Sequence, residues 1–510
     1  MTGSRWVVVV ALAALTACAQ LPPRPVLPEQ HAIVIGQTAR LDAMTAPLES
    51  AHAGQSGFRL VSDGTEAFVI RMQMAQRAER SLDIQSYIWH PDLSGMYLAR
   101  ELMRAAERGV RVRVLLDDID ARKPNDAIAA LAAHRRIEVR TFNPFAARRG
   151  LLGLIGEATW RFGEINRRMH NKSWIADNRI AVVGGRNVGD EYFSAGDEFN
   201  FVDLDFAMLG PVVRDASASF DRYWNSVSAF PMKILDAERI GGEAQHKIEE
   251  QVAAHSDTVT GRRYAEAVRN DAGIVRMLAG DWPVHWSAHY RFVVDDPAKV
   301  LHGGAAPESE VGEALLPMLR DAQREVSIIS PYFVPGEGGV RNLVTLVQQG
   351  RTVRVLTNSL AANDVTAVHG SYTRFRESLL RDGVQLWELK PLTGDLTSSS
   401  MFGSSGASLH SKAFMVDGSS LFVGSYNFDP RSTWLNCEQG VMVQSSALAA
   451  ELAEIFARQT SGMHAWSVQL ADGRLQWSDG QQRFDSEPMA PLSRRAQAWL
   501  FRLLHVDAQL

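Results

Sequence analysis

Two stretches 240 residues apart carry the same reactive side chains in the same order. The first, from Met169, reads MHNKSWIADNRIAVVGGRN, and the second, from Leu409, reads LHSKAFMVDGSSLFVGSYN. Each holds a histidine and a lysine two residues on (His170 and Lys172; His410 and Lys412), then an aspartate (Asp177; Asp417) and an asparagine after a Gly-Gly or Gly-Ser pair (Asn187; Asn427). A histidine can attack an electrophile or move a proton, and in an extended strand a residue two places along points to the same face. Each pair therefore sets a nucleophile or acid beside a fixed positive charge, which suits a phosphate group. A lone histidine in an apolar strand is more commonly a core residue; two copies in one order say otherwise. The lysines argue against a metal, because an ammonium repels a cation and has no lone pair to offer, so no metal or cofactor is expected. A serine hydrolase is unsupported, since no G-x-S-x-G run occurs. Asp177-Asn178 and Asp417-Gly418 read as turns between short strands, which gives both aspartates a structural role, capping backbone amides. Asn187 and Asn427 follow small residues where backbone can approach a ligand, so their amides are candidate donors to phosphoryl oxygens.

The elements that must position these residues are also duplicated. AERSLDIQSYIW (from Ala78) matches AQREVSIISPYFV (from Ala322) at an offset of 245 between Tyr87 and Tyr332. GVRVRVLLD (from Gly109) matches GRTVRVLT (from Gly350) at an offset of 241. Helical patterns such as Gly95 to Arg108 and Gly339 to Gln349 lie between the strand-like runs. Strands alternating with helices predict an α/β fold with mixed, largely parallel sheets. The expected organisation is a first α/β domain over 58–230, linker helices over 231–274, a second domain over 275–462 and a C-terminal hairpin and helix over 463–510. One histidine from each copy predicts a single active site at the interface of the two domains, near a pseudo-twofold axis.

The pattern H-x-K-x(4)-D-x(6)-G-[GS]-x-N, present twice, resembles the signature of the phospholipase D superfamily. Three longer runs, NRRMHNKSWIADNRIAVVGGRNVGDEYF, DDPAK at Asp295 and NFDPRSTWLNCEQG at Asn427, are most similar to the bacterial cardiolipin synthase-like phospholipase D proteins, especially the C type. The resemblance covers nearly all of residues 58–510. It implies two tandem phospholipase D-like domains and a reaction through a covalent phosphohistidine. One histidine attacks phosphorus, the other protonates the leaving alcohol, and lysines and asparagines hold the non-bridging oxygens. By family precedent His170 is the nucleophile, although the two copies are nearly symmetric in sequence. The resemblance also implies an acid downstream of each motif that orients a histidine, here Asp203 and Glu438, with Asp205 as the runner-up in the first half. The implied activity is phosphatidyl transfer to phosphatidylglycerol, with phosphatidylethanolamine as a further candidate donor. A hydrolytic phospholipase D and a nucleic-acid phosphodiesterase are the alternatives.

Composition bounds the rest. The chain has 510 residues, 46% hydrophobic and 22% charged, which excludes wholesale disorder and coiled coil. The formal charge of −5 gives no broad basic face, so nucleic acid is not an expected partner. With only Cys18 and Cys437, cysteine-built metal sites and disulfide frameworks are excluded within one chain. MTGSRWVVVVALAALTAC has one positive charge, a short apolar run and small residues before the cysteine, which predicts a signal peptide over 1–17. Leu15-Thr16-Ala17-Cys18 resembles a bacterial lipobox, and this implies a lipidated Cys18 and an envelope protein facing the periplasm. Ala19 then favours the outer membrane. The segment 18–57 opens with four prolines between Gln20 and Pro28, which predicts an extended tether. Arg148 to Ile155 and the last helix, with Arg494, Arg495 and Arg502 beside Trp499, Leu500, Phe501, Leu503 and Leu504, combine charge with apolar residues as membrane-surface segments do.

Overall fold

The computed structural model describes residues 21–36, 38–148, 157, 161–196, 199–238, 240, 243–271, 276, 284–302, 308–391 and 408–504. Cys18 and residues 149–156 lie outside them. In chain order the strands of the first half are β1 (Ser56–Val61), β2 (Ser81–Ser86), β3 (Arg111–Asp117), β4 (Ile137–Phe142), β5 (Ser173–Ala176), β6 (Ile180–Gly184), β7 (Phe201–Val202), β8 (Asp205–Leu209) and β9 (Ala229–Pro231). They are followed by β10 (His285–Ser287), β11 (Tyr290–Val294), β12 (Glu325–Ile329), β13 (Thr352–Asn358), β14 (Gln385–Leu389), β15 (Ser408–Leu409), β16 (Ala413–Val416), β17 (Ser420–Gly424), β18 (Gln439–Gln444), β19 (Ala465–Ala471), β20 (Arg474–Ser478) and β21 (Arg483–Phe484).

Two mixed sheets result, ordered β10-β1-β8-β6-β5-β2-β3-β4-β9 and β11-β18-β17-β16-β12-β13-β14-β19-β20-β21. In each, a parallel trio (β2-β3-β4; β12-β13-β14) continues into antiparallel hairpins that carry the motifs. Each hairpin turns through three residues, between Ala176 and Ile180 or Val416 and Ser420, and the first two have positive φ: Asp177 and Asn178 at 52° and 56°, Asp417 and Gly418 at 54° and 64°. The aspartates are held by what they bind. Asp177 accepts from the amides of Glu79, Arg80 and Ser81, and Asp417 from those of Gln323, Arg324 and Glu325, so each carboxylate ties its hairpin to the start of β2 or β12.

Both faces are covered at the centre of each sheet, so some charged residues of the central strands are buried and paired. Arg113 of β3 bonds Asp83 at 2.6 Å and Asp221 at 2.8 Å beneath the ring of Phe220. One apolar core lies outside the first sheet and another outside the second. A third is shared, joining Phe58, Phe206 and Trp224 to Ile329, Leu409, Met415 and Val441. The shared core makes the two halves one body, because separating them would expose it to water.

Four expectations change. The offset between the halves at β2 and β12 is 244 rather than 245: Ser81 pairs with Arg111 as Glu325 pairs with Thr352. Tyr332 is therefore the counterpart of Ile88, and Ser86 and Ser330 each donate to the carbonyl two residues on. The 18–57 segment is more than a tether. Arg24 donates to the carbonyls of Ala229 and Ser226, the Ala32 amide donates to Asp221, and the helix Arg40–Ala51 brings Asp42 to Arg80 and Arg179. The arginines and acids along its path fasten it to the first domain. Residues 231–274 are not simply a linker: the helices Glu243–Ser256 and Val259–Asn270 lie against the first domain, with Ile248, Val252 and Tyr264 in its core. Finally, β10 lies within the second domain's expected span but pairs with β1 in the first sheet. The hairpin β19–β20 extends the second sheet, turning at Asp472 and Gly473 with φ of 51° and 73°.

Candidate active site

The extended chain just before β5 and just before β16 carries the two His-Lys pairs. These lead-ins belong to neither large sheet, because each pairs with the opposite half. Met169 bridges Cys437 in parallel, and the His170 amide donates to the Cys437 carbonyl at 2.8 Å. Leu409 of β15 pairs with Val202 of β7, and the His410 amide donates to the Val202 carbonyl at 2.8 Å. In both places the next residue on the partner strand is an acid. The register thus delivers Glu438 of the second half to His170, and Asp203 of the first half to His410.

The contacts are direct. Nδ1 of His410 lies 2.6 Å from Asp203, and Nδ1 of His170 lies 3.0 Å from Glu438 and 3.1 Å from the Ser425 carbonyl. With Nδ1–H donating to these acceptors, each Nε2 keeps its lone pair for chemistry. The lysines fold back, Nζ donating to the carbonyl of its own histidine: Lys172 to His170 at 2.6 Å, and Lys412 to His410. All six side chains are buried, with His170 and His410 only 7% and 8% exposed.

The two histidine–acid pairs differ in detail. Gly185 leaves the space that the Asp203 carboxylate fills, since a Cβ there would sit 2.1 Å from Asp203 Oδ1. The glycine serves the acid, where the sequence suggested close backbone approach to a ligand. The corresponding Ser425 donates its hydroxyl to Glu438, whose other oxygen accepts from Ser432 at 3.0 Å. Burial would raise the Asp203 carboxyl, but donation from His410 and the charges of Lys412 and Arg186 outweigh it and hold Asp203 ionised. Burial dominates at Glu438 and pushes it up to about 7, despite Lys172 and the two serine hydroxyls. Burial, with Lys412 next, takes His410 down to about 4, and burial with both lysines takes His170 well below the usual histidine range. Lys412 is lowered by burial to about 8.

The asparagines differ from one another. Asn187 accepts from the Ile88 amide through Oδ1 and donates to the Tyr192 hydroxyl at 2.9 Å, so one of its N–H groups is committed to the protein. Asn427 is placed through its backbone amide, which donates to Ser432 Oγ at 3.1 Å, while its buried Oδ1 has no hydrogen-bond partner among the described residues. Asp205 does not orient a histidine: it lies in a buried network with Arg71 and Arg186 at 3.0 and 3.2 Å. Arg148 is engaged by Asp118 and Asp236, which withdraws that residue from the membrane-facing run expected at 148–155.

Several participants carried no legible sequence signal. Tyr87 sits edge-on to His170 and Tyr192 edge-on to His410, with ring centres 5.0 and 5.2 Å apart. Asp295 accepts from the Glu438 amide at 3.0 Å and pairs with Lys299 at 2.9 Å, fixing the backbone that presents Glu438. The DDPAK run containing both was visible as a motif, but its task was not. The helices Glu310–Arg320 and Gly336–Gln348 and the segment Tyr426 to Trp434 line an open cavity of about 520 Å³ on the outer side of the second sheet. It is lined by Leu315, Leu319, Leu343, Leu346, Phe414 and Phe428 among others. Asn427 falls between two wall residues, Tyr426 and Phe428.

Comparison with known proteins gives a concordant result. A family profile described as "Cardiolipin synthase, PLD-like domain" matches residues 72–224 and 315–460. Cardiolipin synthase C of Escherichia coli K12 is 42% identical over 477 residues, covering 92% of this chain and 99% of that protein. Cardiolipin synthase A of Yersinia pseudotuberculosis is 25% identical, covering 74% of this chain and 64% of that protein. Among solved structures, phosphatidylserine synthase of Haemophilus influenzae Rd KW20 superposes with a TM-score of 0.60 at 12% identity, over 91% of this chain and 99% of that one, a likeness of fold.

Proposed function

The chain belongs to the family of phospholipase D-like cardiolipin synthases, and from that premise we propose that it transfers a phosphatidyl group between phospholipids. The observation that carries the reading is the crosswise pairing of two buried histidines with acids of the opposite half, beside two lysines. Such a site needs both halves docked, and it offers one nucleophile and one proton carrier.

In the proposed cycle, Nε2 of His170 attacks the phosphorus of a phosphatidylglycerol and the P–O bond to the head-group glycerol breaks. His410 supplies the proton that lets glycerol leave. A second phosphatidylglycerol then presents its glycerol hydroxyl. His410 takes that proton, the new P–O bond forms, the P–N bond breaks, and the products are cardiolipin and glycerol. Asp203 suits His410 to this task, because an ionised carboxylate stabilises the imidazolium formed in the second step. Lys172, Lys412 and the asparagine amides balance charge on the non-bridging oxygens. Burial and then the charge of Lys412 keep His410 deprotonated, and an incoming phosphodiester anion offsets that charge, so that His410 takes up from water the proton it then gives to the leaving glycerol. The apolar cavity walled by Tyr426 and Phe428 gives room for an acyl chain.

The working location is the bacterial cell envelope, with the chain held by a lipidated Cys18 on the periplasmic side; the outer membrane is the destination that Ala19 favours. No helix among the described residues is long and apolar enough to cross a membrane. Incubating the protein with head-group-labelled and acyl-labelled phosphatidylglycerol tests the activity. Cardiolipin and free glycerol in equal amounts are expected. Phosphatidic acid without cardiolipin would replace transfer by hydrolysis.

A further inference from the structure

The C-terminal helix Leu492–Leu504 presents much of its apolar surface to solvent. Its inner side carries Arg494, Arg495, Ala498 and Phe501, with Ala498 buried and Phe501 half-buried against Gly370. Leu492, Trp499, Leu500 and Leu504 point outward and are 80%, 61%, 48% and 57% exposed. A helix at the surface of a globular protein ordinarily turns its polar side to solvent, and a run of outward leucines with a tryptophan marks a surface meant to be covered.

The helix is held firmly in this orientation. Gly370 of the helix Thr366–Arg381 lets it approach at backbone distance: a Cβ at that glycine would lie 2.6 Å from the Ala498 carbonyl. Arg494 donates to the Asn363 carbonyl, and Arg495 donates to the Glu487 carbonyl at 2.6 Å and to Ser486 Oγ at 3.2 Å. The mounting also leads toward the catalytic centre. Asp364, next to Asn363, accepts from the Tyr332 hydroxyl at 2.8 Å, and its charge acts on Lys412.

We propose that the outward face of this helix seats in an anionic phospholipid bilayer and fixes the orientation of the catalytic site toward it. Arg494 and Arg495 are engaged by the protein, and Arg502 stands exposed beside the apolar face of a helix that contains no acid. That charge complements anionic head groups, the tryptophan suits the interfacial zone, and the leucines suit the upper acyl region. The proposal rests on the phosphatidyltransferase reading only for the lipid chosen as probe.

The test uses the full chain in vesicles of phosphatidylglycerol and phosphatidylcholine. In a Cys18→Ser background, where Cys437 is fully buried, a spin label is attached through Leu500→Cys or, as a control on the first domain, through Val259→Cys. The label at position 500 is expected to be shielded from a water-soluble relaxation agent and accessible to oxygen, and the label at 259 the reverse. Equal aqueous access at both positions would overturn the proposal, as would spin–spin broadening at 500 without vesicles, which would assign the face to a second copy of the chain. The double variant Trp499→Ser, Leu500→Ser, altered only at exposed positions, is expected to lose about tenfold or more of its turnover on vesicle phosphatidylglycerol, given the apolar area withdrawn from lipid. On dispersed short-chain phosphatidylglycerol it should stay within about twofold of the parent. Equal losses on both substrates would refute the docking role. A parent protein that turns over neither lipid would instead remove the transferase reading, with the depth measurement still deciding this one.

Discussion

Replacing Asp203 by asparagine should disable His410 while leaving His170 competent, although Asp203 lies in the same half as His170. The carboxylate is fully buried and accepts from His410 Nδ1 at 2.6 Å. A buried hydrogen bond to a charged group contributes about 1.5–3 kcal/mol, and each ~1.4 kcal/mol is a decade of rate. The amide can also turn its NH₂ toward Nδ1, which reverses the imidazole tautomer and removes the proton carrier, an effect of about 10²–10⁴ where general acid catalysis is needed. We expect kcat/KM for phosphatidylglycerol to fall about 10²- to 10³-fold within these bounds. The assay compares that substrate with a phosphatidyl ester of nitrophenol, whose leaving group departs as a stable phenolate and needs no acid. In stopped flow, the nitrophenolate burst of D203N should stay within about tenfold of the parent. Glu438→Gln should depress both substrates, because Glu438 orients the nucleophile. If D203N loses as much on the nitrophenyl ester as on phosphatidylglycerol, or E438Q spares the ester, the crosswise assignment of acids to roles is wrong.

Other consequences are simpler to measure. Because burial lowers Lys412 to about 8, kcat/KM on dispersed short-chain lipid should decline as pH rises through that value and the ammonium is lost; Lys412→Arg, if folded and active, should carry the decline to higher pH. Asp177→Ala should cost about 3–5 kcal/mol in urea unfolding, since three amide donors lose their acceptor and alanine is disfavoured at φ of 52°. Asp417→Ala, at the more exposed equivalent turn, should cost about half as much, with folded-state kcat little changed in either variant. Leu346→Trp, which fills the cavity walled by Tyr426 and Phe428, should lower turnover of long-chain phosphatidylglycerol by about tenfold relative to a six-carbon analogue, because each buried methylene is worth roughly 0.8 kcal/mol. Equal effects on both chain lengths would exclude the cavity as an acyl site.

The sequence alone determined whatever depends on local chemistry and spacing. The duplicated motif located both His-Lys pairs, the strand–helix alternation predicted the α/β layers, and turn residues such as Asp177-Asn178 and Asp472-Gly473 marked hairpins, because side-chain period and positive φ are properties of a few consecutive residues. Tertiary structure decided the rest. A one-residue offset at β2 and β12 was invisible until strand register fixed which residues pair. Asp203 and Asp205 look alike in sequence, yet one faces a histidine and the other two arginines, because Asp203 lies in the break after β7 ends at Val202 while Asp205 opens β8. Nothing local could show that Gly185 makes room for a carboxylate, or that Glu438 serves the histidine of the other half. Those facts come from two lead-in segments exchanging partners across a shared core, where contacts between residues more than two hundred positions apart decide which charges meet in the absence of water.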